Sequence, residues 1–98
     1  MKYSVKFPSP SVEKGFRKAL AHVSERKIRE SIMNAVEALA SAPRPSGEPK
    51  IKPPLVVYSF TAQYQIKIGP YRVLYDVDDK MKTVWILTLR RRNEQTYS

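Results

Sequence analysis

The 98-residue sequence contains no cysteine and only one histidine, and these two absences exclude several kinds of chemistry. Without cysteine there are no disulfide bonds and no thiolate metal ligands. The single histidine, His22, falls inside a predicted helix, where a surface role is expected rather than catalysis. The three glycines form no phosphate-binding loop, and the aspartates at 76, 78 and 79 lack the glycine and distal glutamate of a calcium loop. We therefore expect neither a cofactor nor a metal.

Long hydrophobic runs are also missing. No stretch approaches the roughly 18 apolar residues needed to span a membrane. The first seven residues alternate between polar and apolar and lack the apolar block of a signal peptide. We predict a cytoplasmic protein without membrane contact, and the length predicts a single domain over residues 1–98.

Positive charge is what the sequence has in excess. The sequence has 18 lysines and arginines but only nine acidic residues, which gives a net charge of +9. So basic a small protein favours an anionic partner, either nucleic acid or an acidic protein.

The hydrophobic pattern predicts an α+β fold, in which an N-terminal strand and an antiparallel helical hairpin precede an antiparallel β-meander in one twisted sheet. Ser9 or Ser11 is expected to cap the first helix and Ser24 the second. Strand alternation predicts that Leu89 lies on the same face as Trp85 and Leu87. The predicted elements are a strand at 3–7, helical stripes at 12–23 and 28–39, a proline-rich irregular loop at 41–54, an extra strand at 55–60, and meander strands near 63–68, 71–77 and 83–89.

The meander carries the residues with the clearest chemical potential. Lys67 and Arg72 flank the tight turn Gly69-Pro70 and are expected to face each other across it, about 5 Å apart at Cβ. Two cations this close repel, and a bound anion would relieve the repulsion. A solvated polar face is the alternative interpretation from the residues alone.

The same residues resemble the RelE/ParE superfamily of small bacterial and archaeal toxins. The resemblance is carried by Gln65-Ile66-Lys67, the Gly69-Pro70 turn, Tyr71-Arg72-Val73-Leu74-Tyr75, Arg90-Arg91-Arg92 and Tyr97. It covers nearly the whole chain and implies a RelE-like fold.

RelE-like toxins cut messenger RNA on the ribosome, where the 2′-hydroxyl attacks the adjacent phosphate and the 5′-oxygen leaves. The resemblance matches Lys67 to a catalytic lysine, Arg72 to a phosphate-binding arginine and Arg91 to a second arginine. It matches Tyr97 to a tyrosine placed against the RNA. Gln65 stands where a second lysine is often found. Further RNA-binding residues are expected at Gln65, Lys50, Lys52, Arg90 and Arg92.

Three interpretations follow from this resemblance. The first is a ribosome-dependent messenger-RNA endonuclease, inhibited by an acidic cognate antitoxin. The second is the ParE branch of the same fold, a non-enzymatic inhibitor of DNA gyrase. A toxin relic or a simple RNA-binding module is a third. The arginines and Lys67 suit phosphate chemistry without histidine, since arginine holds its charge and stabilises a phosphorane with fixed donors.

Overall fold

The computed structural model describes residues 2–45 and 50–91. It has five strands and two helices in these residues, in an order that confirms the predicted α+β fold. The elements are β1 (Ser4–Lys6), α1 (Pro10–Ala21), α2 (Arg26–Ala38), β2 (Lys50–Val57), β3 (Phe60–Ile68), β4 (Tyr71–Asp78) and β5 (Thr83–Arg91).

The five strands form one sheet in the order β1-β5-β4-β3-β2. Strands β2 to β5 pair antiparallel with their sequence neighbours, as the short turns predict. Strand β1 pairs parallel with β5, so the sheet is mixed rather than wholly antiparallel. This parallel pairing was not predicted, because it joins the two most distant strands and depends on the path of the helices between them.

Both helices pack on one face of the sheet, which we call the helix face. A single hydrophobic cluster joins Phe16 of α1 and Ile32 of α2 to Tyr75 and Ile86 of the sheet. Of the predicted stripe, residues 16, 32, 36 and 39 are buried, while Leu20 and Ile28 are half-buried against this cluster. Burying these apolar side chains is what holds the helices to the sheet.

The helix starts are only partly as predicted. Ser9 caps α1, because its Oγ accepts a hydrogen bond from the backbone N–H of Val12 at 3.2 Å. The residue that caps α2 is Glu25 rather than Ser24, and it makes no side-chain capping bond. The second helix therefore relies on its buried stripe rather than on a cap.

The opposite face of the sheet, the distal face, carries a second and smaller cluster. Leu74 and Leu87 alternate along their strands with residues of the helix-face core, so their side chains point to the distal face. They pack with Ile51, Val57 and Ala62 of the β2–β3 hairpin. The β2–β3 hairpin therefore contributes to a distal core as well as to the sheet.

Strand β2 corrects the predicted loop over 41–54 and the predicted strand over 55–60. The strand begins at Lys50 and runs through Pro53 and Pro54, with a cis peptide bond between Lys52 and Pro53. Its register against β3 shifts between Lys50 and Leu55. Prolines are tolerated here because β2 is an edge strand and its register against β3 is interrupted around them, so the missing N–H groups break no regular ladder.

A β-bulge in β5 changes which residues share a face. The register passes from Tyr75 opposite Ile86 to Leu74 opposite Thr88, so β5 contains one extra residue at Leu87. Such a bulge reverses the alternation of every residue beyond it. Leu89 consequently lies in the helix-face core, and the prediction that it shares a face with Trp85 and Leu87 is wrong.

Candidate active site

Three cations lie side by side on the three central strands, at the end of the sheet near the β3–β4 turn. Lys67 of β3 is the register partner of Arg72 of β4, as predicted, and Arg72 is in turn the partner of Arg90 of β5. Directly paired residues share a face, so all three side chains belong to the distal face with Leu74. We call Lys67, Arg72 and Arg90 the cation row.

Local sequence explains why the row forms. The Gly69-Pro70 turn joins β3 to β4, and Gly69 takes a left-handed φ of 55° that glycine adopts without strain. This turn fixes Lys67 opposite Arg72. On the other side of β4, the bulge at Leu87 brings Arg90 opposite Arg72. Neighbouring strands hold directly opposed Cβ atoms about 5 Å apart, so three positive charges are held close together.

Gln65 positions the central arginine. Its Oε1 accepts a hydrogen bond of 3.3 Å from Nη1 of Arg72. Both side chains are half-buried, whereas Lys67 and Arg90 are exposed. A glutamine at this place orients the guanidinium without neutralising it, which an aspartate or glutamate would do.

The structure does not bring Arg91 to the cation row. Its register partner is Tyr71, whose side chain packs in the helix-face core, so Arg91 lies on the helix face. There it lines a cavity of about 500 Å³ together with Lys18 and His22 of α1. Without the bulge, simple alternation would have put Arg91 on the distal face and Arg90 on the other.

The remaining predicted site residues are placed as follows. Lys50 is paired with Tyr64, a residue of the helix face, and both Lys50 and Lys52 are exposed on β2. Neither belongs to the cation row. Arg92 and Tyr97 fall outside the described residues. The ring of His22 donates from Nδ1 to the backbone oxygen of Lys18 at 2.8 Å, at the end of α1.

The other end of the sheet holds a charge network of a different kind. Arg44 donates to both carboxylate oxygens of Asp79, at 2.8 and 3.2 Å, and to the hydroxyl of Tyr64 at 3.1 Å. These hydrogen bonds hold the pKa of Arg44 above its ordinary value and the pKa of Asp79 below it. Tyr3 of the N-terminal segment also donates to Asp79. Sequence reasoning missed this network because its members are distant along the chain.

Two absences can be stated for residues 2–45 and 50–91. No three histidine or acidic side chains lie close enough together there to hold a metal ion. Neither helix found there is long and apolar enough to cross a membrane.

Comparison with known families identifies the chain. The family model described as the ParE toxin of the type II toxin–antitoxin system parDE matches residues 7–96. The chain thus belongs to the RelE/ParE superfamily of type II toxin–antitoxin toxins, as its motifs predicted. No curated protein matches the chain by sequence.

Several solved structures share the fold. The RelBE2 toxin–antitoxin complex from Mycobacterium tuberculosis has a chain that is 25% identical, with a TM-score of 0.64, covering 94% of this chain and 100% of that one. The archaeal RelE–RelB complex from Pyrococcus horikoshii gives 24% identity and a TM-score of 0.67, over 96% and 99% of the two chains. A free RelE mutant from E. coli is 21% identical, with a TM-score of 0.64, covering 99% of this chain and 92% of that one.

Proposed function

We propose that this toxin is a ribosome-dependent endoribonuclease that cuts messenger RNA. The observation that carries the proposal is the cation row, in which Lys67, Arg72 and Arg90 lie in register on three adjacent strands. Cations held this close repel unless an anion lies between them. A phosphate that gains charge as it reacts is the anion that benefits most from such an array.

Each member of the row has a role in the proposed reaction. Lys67 takes the proton from the 2′-hydroxyl, whose oxygen then attacks the adjacent phosphorus. Arg72, oriented by Gln65, donates to the phosphate oxygens as the pentavalent phosphorane forms. Arg90 adds a second guanidinium to the same charge. The bond from phosphorus to the 5′-oxygen breaks and leaves a 2′,3′-cyclic phosphate, while the 5′-oxygen takes up a proton and becomes a hydroxyl.

The roles of the other predicted residues stay proposals. Tyr97 stacks on a base or supplies the proton of the leaving 5′-oxygen, as the family resemblance implies. Arg91, Arg92, Lys50 and Lys52 act through long-range attraction to RNA and ribosome, which a net charge of +9 supports. Both partners of this activity, the ribosome and its message, are found in the cytoplasm, where we expect the protein to act.

An acidic antitoxin is the proposed protein partner. Two of the structures with the same fold are toxin–antitoxin complexes. A partner of opposite charge would be steered to this basic surface and would bind it faster. Co-expression with the neighbouring reading frame and purification through one of the two proteins tests this pairing. Isolation of the toxin alone, in high yield and without growth arrest, would count against it.

Cleavage of a defined message is the test of the activity. The purified protein is added to ribosomes stalled on this message, and the ends of the products are mapped. We expect cuts only with ribosomes present, leaving 5′-hydroxyl and 2′,3′-cyclic phosphate ends. An intact message would contradict the proposal.

Inhibition of DNA gyrase is the second candidate function. The observation that favours it is the family model itself, which is that of the ParE toxin. A supercoiling assay with purified gyrase separates the two candidates. Blocked supercoiling together with an intact message would establish the gyrase activity in place of the nuclease.

A further inference from the structure

A second polar site lies on the distal face, beyond the cation row. Asp76 of β4 is the register partner of Trp85 of β5, so the carboxylate and the indole lie side by side. Both line a cavity of about 310 Å³, which is large enough for a single nucleobase. The full lining is Pro8, Phe60, Thr61, Asp76, Trp85 and Leu87.

The cavity is lined by the aromatic rings of Phe60 and Trp85 and by one acidic group, that of Asp76. Phe60 and Trp85 are half-buried against the distal hydrophobic cluster, which holds their rings in place. Asp76 is also half-buried, and burial raises the pKa of its carboxyl. A few polar groups in a mainly apolar cavity are typical of ligand sites.

The hydrogen bonds of Asp76 leave acceptor capacity for a ligand. Its Oδ1 accepts from the backbone N–H of Val77 at 2.9 Å and from Nε2 of Gln63 at 3.3 Å. Within the described part of the chain, Oδ2 accepts no hydrogen bond. A ligand with two adjacent donors can therefore engage Oδ2 and, by displacing the long bond from Gln63, Oδ1 as well.

The position of the cavity relates it to the proposed nuclease site. Arg72 and Asp76 lie on the same face of β4, four residues apart, which is about 13 Å along a strand. One RNA strand lying along the distal face reaches both. Proteins commonly bind single-stranded RNA by taking an unstacked base onto aromatic side chains and hydrogen-bonding its Watson–Crick edge.

We propose that this cavity binds a guanine base of the RNA whose phosphate lies on the cation row. Guanine offers two adjacent donors on its Watson–Crick edge, N1–H and the 2-amino group, which match the two oxygens of Asp76. Adenine, cytosine and uracil each offer one donor group there. This inference rests on the proposed function for the identity of the RNA, and it adds a base-recognition site to that function.

Nucleotide binding to the isolated protein tests the inference without the ribosome. Trp85 is the only tryptophan, so its indole N–H gives a single, assignable nuclear magnetic resonance signal. Mononucleotides are added one at a time, with inorganic phosphate as the control for the charge alone. We expect 5′-GMP to shift this signal saturably and to bind about tenfold more tightly than AMP, CMP or UMP.

One protein variant and one ligand analogue distinguish loss of base recognition from loss of the fold. Asp76→Asn should bring GMP affinity to within about twofold of the other nucleotides, whereas the matched Asp78→Asn should keep the preference. On the ligand side, 5′-IMP lacks only the 2-amino group and should bind about as weakly as AMP. The IMP measurement needs no variant and holds even if Asp76→Asn fails to fold.

Equal affinity for all four nucleotides, or no shift of the Trp85 signal, would overturn the inference. So would a shift caused by N-acetyl-argininamide in place of GMP, since the cavity would then take a cationic side chain of a protein. These outcomes are distinct from failure of the nuclease. Message cleavage without GMP binding removes only the guanine site, whereas GMP preference without cleavage removes only the proposed reaction.

Discussion

The two ends of the sheet use arginine in opposite ways. At the β4–β5 turn, Arg44 is paired with Asp79 in a bidentate geometry and bonded to Tyr64. At the β3–β4 turn, Arg72 lies between Lys67 and Arg90 and donates a hydrogen bond to Gln65. The first arrangement is electrically balanced and ties distant parts of the chain together. The second concentrates positive charge, so we infer that the first serves structure and the second binds an anion.

Removing the central arginine should have the largest effect on activity. Arg72→Ala takes away donors aimed at the developing charge and should slow message cleavage by about 10²- to 10³-fold. Folding should change little, since a charge that is partly open to solvent contributes little to stability. Arg17→Ala, at an exposed arginine paired with Glu13 on α1, is the matched control and should cleave normally. If Arg72→Ala and Lys67→Ala both stay as toxic as the parent, the site is misplaced.

The bulge in β5 leads to a sharper prediction, about Arg90 and Arg91. Arg90→Ala should reduce cleavage by about tenfold or more, because a charged hydrogen bond to the phosphate is lost. Arg91→Ala, which removes the same charge from the helix face, should have a much smaller effect at moderate salt. Cleavage rates of the two variants, measured side by side, decide between them. The reverse order would mean that Arg91 is the residue at the phosphate.

A smaller effect is expected at Gln65, which acts through Arg72. Gln65→Leu removes the acceptor that orients the guanidinium and should lower kcat about 2- to 10-fold. The KM should move less, because the charge of the cation row is unchanged. Single-turnover cleavage on the ribosome provides both values. An unchanged kcat would show that the 3.3 Å bond does not position Arg72.

A substitution in the Arg44–Asp79 pair should affect stability but not cleavage. Arg44 and Tyr3 hold the pKa of Asp79 below its ordinary value of 3.8, so the pairing stabilises the fold above that pH and is lost as the pH falls through the folded value. Asp79→Asn should melt slightly lower than the parent at pH 7, with the two melting curves converging below pH 3.8. Its cleavage rate should match the parent's. A loss of cleavage in a folded Asp79→Asn would remove the contrast between the two ends.

Much of the fold could be predicted because its signals are local. Alternation in β3 and β4 placed Gln65, Lys67 and Arg72 on one face, and the helical stripes gave the core positions of α1 and α2. The bulge at Leu87 could not be predicted, since the sequence of β5 has the alternation of a regular strand. Because of that one extra residue, Arg90 rather than Arg91 lies beside Arg72. The pairing of Arg44 with Asp79 was equally hidden, because it depends on tertiary contacts across 35 residues.

The position of the scissile phosphate tests the central claim most directly. A structure of the toxin on a ribosome, with a message carrying a 2′-deoxy nucleotide at the cleavage position, would trap the substrate before reaction. We predict phosphate oxygens about 2.7–2.9 Å from the guanidinium nitrogens of Arg72, with Lys67 and Arg90 beside them. A message bound along the helix face, with its phosphate against Arg91 and Lys18, would contradict the claim.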